Sequence, residues 1–343
     1  MAGRRRVDRG EAWLHRPGHA RGDVGAGAGG SPFLIGPGET FQSAGAPFLV
    51  IVEPGPAVES GGDESPEPWP TLDQVGPADD PAEYPQVGSI TTDHDGQVIE
   101  NVRCSGLIRI QHSGVIVRDI RMDFGPTTEG AYWIRTEFGG NVGDILIERV
   151  EIDAPPLVNG IRTIAMNFPG VNSGAITIKD CYVHGVGSGP RFYNNNHIQD
   201  SIVEATFYAG SDSHRSGIGN NGGAHCSVKR CRIECRGTQS SAAISLYGDN
   251  ALADDHLFED NLFVTSDGYI AYGGSVSSKD FPQGQNVRYL RNHFMFRQPY
   301  SGPLYGAITA FTNGTNGCVK SGNVWETGAQ MNDGTTVNAG DPV

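Results

Sequence analysis

The stretch from Ala224 to Phe263 reads AHCSVKRCRIECRGTQSSAAISLYGDNALADDHLFEDNLF, and its two ends are copies of one pattern. In AHCSVKRCRI (224–233) and DDHLFEDNLF (254–263) apolar and polar residues alternate, the period of a strand with one buried face. Working outward, the pattern recurs as SGVIVRDIRM (113–122), GDILIERVEI (143–152), GAITIKDCYV (174–183), NNNHIQDSIV (194–203) and NVRYLRNHF (286–294). Weaker copies stand at GQVIENVRC before the series and GCVKSGNVWE after it. The first apolar positions are Ile99, Val117, Ile147, Ile178, Ile198, Val228, Phe258, Tyr289 and Val319, at intervals of 18, 30, 31, 20, 30, 30, 31 and 30 residues. Short strands of this kind cannot each bury a face alone, so they must stack as the coils of a solenoid. Whether the two short intervals are tight coils or breaks is open at this stage.

Three residues beyond each first apolar position stand Val102, Ile120, Val150, Cys181, Ser201, Cys231, Asn261 and Asn292. Stacking places these side chains above one another as an internal ladder, in which Asn amides hydrogen-bond between coils and Cys181 and Cys231 are buried free thiols.

Composition agrees with a chain of many turns: 49 Gly and 21 Pro in 343 residues, with 19% charged and 8% aromatic side chains, exclude a helix bundle or coiled coil. A net charge of −14 argues against nucleic acid as a partner, and no apolar run is long enough for a membrane span. The charge is uneven. Residues 1–22 carry six Arg against Asp8 and Glu11, whereas Asp23 to Val102 holds fourteen acidic residues and no Lys or Arg. This Gly/Pro-rich region reads as an irregular arm over 1–69, a basic tip followed by an acidic linker, with one apolar island at Phe48–Val52. No export signal is evident, so the six Cys are expected to be reduced.

Three segments carry a family likeness: GSITTDHDGQVIENVRCSGLIRIQHSGVIVRDIRM, the coil SAAISLYGDN to YIAYGG with its QNVRYLRNHF, and the closing YGAITAFTNG to KSGNVWETG. From about Pro70 to Met331 the chain resembles the right-handed parallel β-helix proteins of the pectate-lyase-like superfamily, in the versions common in actinobacteria and their phages. The resemblance implies an all-β, single-stranded right-handed parallel β-helix over 70–343. It does not fix an activity, since this fold hosts lyases, hydrolases, epimerases and inert phage fibres.

In such folds substrate lies along one sheet, which directs attention to the second strand of each coil. Sugar rings stack on aromatic faces and acidic sugars pair with Arg forks, so Trp133, Arg162, Arg191, Tyr193, His197, Tyr247 and Tyr272 are the expected carbohydrate contacts, with Arg135 and Phe311 in the same strands. The densest polar stretch is Ser211 to Gly219, where Asp212, His214 and Arg215 are the candidate catalytic groups: a His beside a carboxylate as base, an Arg to stabilise an enolate-like intermediate. The corresponding family stretch resembles His-x-Asp-Gly-Ile-Gln. This chain keeps His214, Gly217 and Ile218 but has Ser216 and Gly219 in place of the Asp and Gln, which weakens a catalytic reading. Glu137 with Asp212, or Asp249 with Asp212, are the conceivable carboxylate pairs. No metal or cofactor is expected. Asp249-Asn250 and Asp254-Asp255 offer oxygens to calcium without a recognised ligand spacing, and His15 with His19 flanks Pro17 and Gly18.

Two functions compete. One is a structural or adhesive β-helix with a carbohydrate-interacting flank, a phage tail or fibre component whose arm holds virion proteins. It would bind cell-surface glycan, form a homotrimer or a larger assembly, and reside in the virion or outside the cell after lysis. The other is a polysaccharide lyase or glycoside hydrolase acting on an acidic glycan, which requires Arg191, His197 or His214 in one cleft with a carboxylate. A degenerate scaffold without ligand is the third reading.

Overall fold

The computed structural model describes residues 68–123, 132–137, 140–154, 164–169, 174–205, 215–237, 240–266, 269–296, 306–312 and 316–326. The chain divides into two units, Met1–Asp63 and Glu64–Val343, and all described residues belong to the second. The strand expected at Phe48–Val52 lies outside the described residues.

The sheet pairings of this unit are parallel, and they join one coil to the next. In the main sheet the register runs Ile99↔Val117↔Ile147↔Ile178↔Ile198↔Val228↔Phe258↔Tyr289, the column expected from the sequence. The intervals of 18 and 20 residues are therefore complete coils, paired with neighbours on both sides. The last step differs from expectation. Tyr289 pairs with Lys320, not Val319, and Val319 is 42% exposed. The ladder explains the shift: pairing through Lys320 brings Asn323 under Asn292, and Lys320, itself buried, sets its ammonium 5.6 Å from the centre of the Phe311 ring.

A second sheet of nine strands runs from Ile90–Thr91 through Ile108–Ile110, Tyr132–Thr136, Ile164–Asn167, Arg191–Phe192, Arg215–Asn220, Ser240–Leu246 and Ala271–Tyr272 to Ile308–Thr309. A two-stranded sheet of Gly223–Ala224 and Ala253–Asp254 turns the corner between them. At Gly223, with φ +133°, a Cβ would lie 2.1 Å from Tyr193 O, so no other residue fits that corner.

Each coil bends within the main sheet at a residue of positive φ: Asn101, Asp119, Arg149, Asp180, Asp200, Arg230, Asp260 and Arg291 lie between 48° and 54° or, for Asp260, at 56°. This conformation costs an ordinary side chain about 1–2 kcal/mol. Six of the eight bend residues offset part of it in pairs. Arg149 holds Asp119 through two bonds of 2.8 and 2.7 Å, Arg230 holds Asp200 at 2.7 and 2.8 Å, and Arg291 holds Asp260 at 2.8 and 2.9 Å. The planar guanidinium fork suits a carboxylate one coil away.

Inside the bend the ladder forms as expected. The chain turns there, and its backbone N–H groups cannot stay in the sheet. The next coil's side chain accepts them instead: Cys181 N donates to Ser201 Oγ (3.0 Å), Cys231 N to Asn261 Oδ1 (2.9 Å), Asn261 N to Asn292 Oδ1 (3.1 Å) and Asn292 N to Asn323 Oδ1 (2.9 Å). The amides also join directly, Asn261 Nδ2 to Asn292 Oδ1 at 2.8 Å and Asn292 Nδ2 to Asn323 Oδ1 at 3.0 Å, all fully buried. The six Cys are free and buried, and burial pushes the Cys181 thiol up to about 12.

A strap precedes the first coil. Trp69 stands edge-on to His293 at 4.8 Å, Gly76 N donates to Asp180 O at 2.8 Å, Ala78 N donates to Asp119 Oδ1 at 3.1 Å, and Gln86–Val87 pairs with Arg103–Cys104. The segment thus crosses successive bends against the direction in which the coils grow, tying late coils to early ones.

Two predictions follow from the interior. Asn292→Ala leaves the Asn261 amide and backbone N–H without their acceptor and Phe258 O without its donor, which lowers unfolding free energy by about 2–4 kcal/mol in urea titrations. His256 is buried, its Nε2 is 3.0 Å from Gly223 O, and burial pushes its imidazole down to about 4 from an ordinary 6.5. The unfolded chain binds the proton more readily, so this contribution to stability is full above pH 6.5 and is lost as pH falls toward about 4, by up to about 3 kcal/mol. Urea midpoints across this range should show a flatter profile for His256→Gln than for the wild type.

Candidate functional site

The register of the second sheet builds one outer column. Arg109 pairs with Arg135, Arg135 with Asn167, Asn167 with Arg191, and Arg191 with Gly219. Gly219 pairs with Ser245, and one residue beyond the Ile244↔Ala271 pair the column continues to Tyr272 and Thr309. Ile108, Ile110 and Ile134, which flank Arg109 and precede Arg135, are fully buried, whereas the Arg109 and Arg135 side chains are 37% and 26% exposed. Alternation along the strand thus puts the guanidinium groups outside.

Glu137 organises the lower end of this column. Its carboxylate accepts from Arg135 NH2 at 3.2 Å, and Arg109 Nε lies 2.8 Å away at an angle too poor for a hydrogen bond, so that pair is held by charge. Two polar atoms between these groups, Arg135 Nε and Asn167 Oδ1, are buried with no protein partner. Buried polar atoms in that state mark places for water or for a ligand's polar groups. Arg191 lies across Gly219, where a Cβ would approach its NH1 to 2.5 Å. A side chain at position 219 would collide with Arg191, so the glycine there is what gives Arg191 its room.

Further along the same sheet the aromatic residues gather. Tyr247 and Tyr272 meet edge to face at 4.9 Å, Tyr269 stacks on Tyr272 at 4.8 Å, and the Lys279 ammonium sits 4.9 Å over Tyr247 while bonded to Asp249 at 2.7 Å. Burial, then the neighbouring Tyr247 and Tyr269, raise the Tyr272 phenol well above its ordinary range, so it remains a neutral hydroxyl.

The structure separates the other expected residues. Trp133 is 1% exposed within the hydrophobic core and presents no face to a sugar. Arg215 is fully buried, donating to Ala205 O at 3.2 Å and Arg236 O at 2.6 Å, so it ties a corner together. His197 stands on the main sheet, half-buried and 2.9 Å from Ser227 Oγ; burial and then Lys229 and His225 lower its imidazole. Tyr193 is half-buried directly after Phe192, its N–H donating to Asn196 Oδ1 at 2.8 Å. Arg162, Asp212 and His214 lie outside the described residues, and with them both conceivable carboxylate pairs. Glu137 and Asp249 are themselves four coils apart, roughly 19 Å at about 4.8 Å per coil.

Arg109 and Asn167 were not expected from the sequence. Arg109 alternates correctly in LIRIQH, but only known coil lengths would stack it under Arg135. A second unexpected group lies on the main sheet: Glu151, Asp153 and His184 place one donor atom each within 4.8 Å of one another. His184 Nε2 is 3.1 Å from Glu151, the ring stacks on Tyr182 at 4.1 Å, and Arg121 bonds Glu151 at 2.9 Å and also bonds Asp153. Burial pushes the Glu151 carboxyl up, but His184 and Arg121 together carry it below its ordinary range. A guanidinium already bridges both carboxylates, so this arrangement is an ion-pair network; a metal would have to displace Arg121.

Comparisons with family models, with curated proteins and with solved structures find no match. What is shown is the class: an all-β parallel solenoid.

Replacing buried Arg215 separates a buried tie from a surface pair. Arg215→Met takes the side-chain donor from Arg236 O and one of two donors from Ala205 O and lowers stability by about 2–4 kcal/mol, whereas Arg118→Gln, which breaks an exposed pair with Glu100, changes it by less than about 1 kcal/mol. Thermal and urea unfolding of both variants tests this contrast.

Proposed function

We propose that this chain is a structural or adhesive β-helix protein that holds an acidic glycan along its second sheet. The single observation behind the reading is the outer column: Arg109, Arg135, Asn167 and Arg191 on consecutive coils, continuing to Tyr272 on the same face. Arg109, Arg135 and Arg191 set three guanidinium groups along the column beside Glu137, the array that a row of acidic sugars would face. The tyrosines supply faces for sugar rings. Membership of the pectate-lyase-like superfamily and a setting in a phage virion belong to the same proposal. They rest on the coil sequences and on the charged arm, which suits attachment to other proteins.

The competing lyase or hydrolase reading has less support. Arg191 is on the second sheet and His197 on the main sheet, and Arg215 is buried.

A glycan array probed with the full chain is expected to retain uronate- or sialate-containing polymers over neutral ones, with affinity falling as salt rises. Arg191→Gln lowers that affinity by at least about tenfold, the worth of one charge-assisted bidentate contact. Tyr272→Ala weakens it by a smaller factor. Absence of glycan binding would sink the proposal, and release of unsaturated uronates or new reducing ends would replace it with the enzyme reading.

A further inference from the structure

The bend column breaks its own rule once. Asp119, Asp200 and Asp260 are each answered by an Arg of the following coil, namely Arg149, Arg230 and Arg291. Asp180 is followed by Asp200, because the 20-residue coil between them brings a second carboxylate where the other pairs have a guanidinium. Arg230 already occupies both oxygens of Asp200. Lys179 lies 3.6 Å from Asp180 but 2.7 Å from Glu148, where it is engaged. Burial raises the Asp180 carboxyl, Lys179 opposes this, and Asp200 and Glu148 raise it further, so the ammonium that Asp180 shares with Glu148 does not offset the rest.

At this break a groove of about 300 Å³ opens between the strap and the bend, lined by Pro68, Trp69, Pro70, Gln74, Asp180 and Asp200. Its lining combines an indole and two prolines with two carboxylates and an amide. We infer that the groove binds a guanidinium on an apolar stem, such as an arginine side chain, with its charge set against Asp180 and its stem along Trp69 and the prolines. The column itself shows that this chemistry fits, since three neighbouring Asp residues take a guanidinium fork. A calcium ion fits less well: it needs about six to eight oxygens, and the groove offers two carboxylates, one already engaged, and one amide. The site is remote in kind from the outer column of the second sheet, which presents positive charge.

Calorimetric titration of the full chain with N-acetyl-arginine amide tests the inference, with N-acetyl-citrulline amide as the uncharged probe of the same shape. The expected result is saturable binding of the arginine amide alone, reduced at least about tenfold in Asp180→Asn and severalfold in Trp69→Leu. Asn tolerates the left-handed bend, and circular dichroism with urea midpoints establishes that each variant folds. Equal binding of the citrulline probe, wild-type affinity in Asp180→Asn, or no binding at tens of millimolar arginine amide each overturns it. Binding of calcium, abolished by Asp180→Asn, with none of the arginine amide, overturns it in favour of a metal site.

Discussion

Among the described residues the sheet hydrogen bonds join one coil to the next, so the coils complete their backbones only by stacking. Everything else answers to that constraint. The register has to be held from one end to the other, because a slip by one residue would turn every buried side chain outward. The strap meets the same need by a different route, bonding to Asp180 and Asp119 on separate coils and closing the first strand pair at Arg103.

The bend shows how a costly backbone conformation becomes a means of alignment. A left-handed residue in every coil creates two problems, a strained side chain outside and an unpaired N–H inside. The outer one is met by Arg–Asp forks, the inner one by Ser and Asn side chains of the following coil. Both solutions work only when the coils are in register, so the same residues that relieve the bend also enforce the stacking. Exposed ion pairs contribute little singly; the buried amides, which leave donors and acceptors stranded when removed, carry more of the specificity.

The repeat was legible in the sequence because coil lengths can be counted directly, and the ladder from Cys181 to Asn292 followed from the same alignment. The final coil was misread by one residue. Val319 has the apolar character of the repeat, but Asn323 sets the register, and a buried Lys320 is not a position that pattern reading selects. The candidate site was legible only in part. Arg191 and Tyr272 stand in one column, yet Trp133 is core and Arg215 is a buried tie, since composition and alternation do not say which polar residues the corners consume. Arg109 and Asn167 were hidden because their neighbours in space come from strands separated by loops of unequal length.

The unequal coils carry a final consequence. Coils of 18, 20, 30 and 31 residues all advance the sheets by one strand, so the extra residues go into loops and leave the spacing of the columns untouched. The outer column is in effect a ruler with graduations of about 4.8 Å, fixed by the backbone and indifferent to what lies on it. On the proposed glycan reading, a polymer whose own repeat matches a whole number of graduations would stay in step with Arg109, Arg135 and Arg191, and one that does not would fall out of phase within a few units.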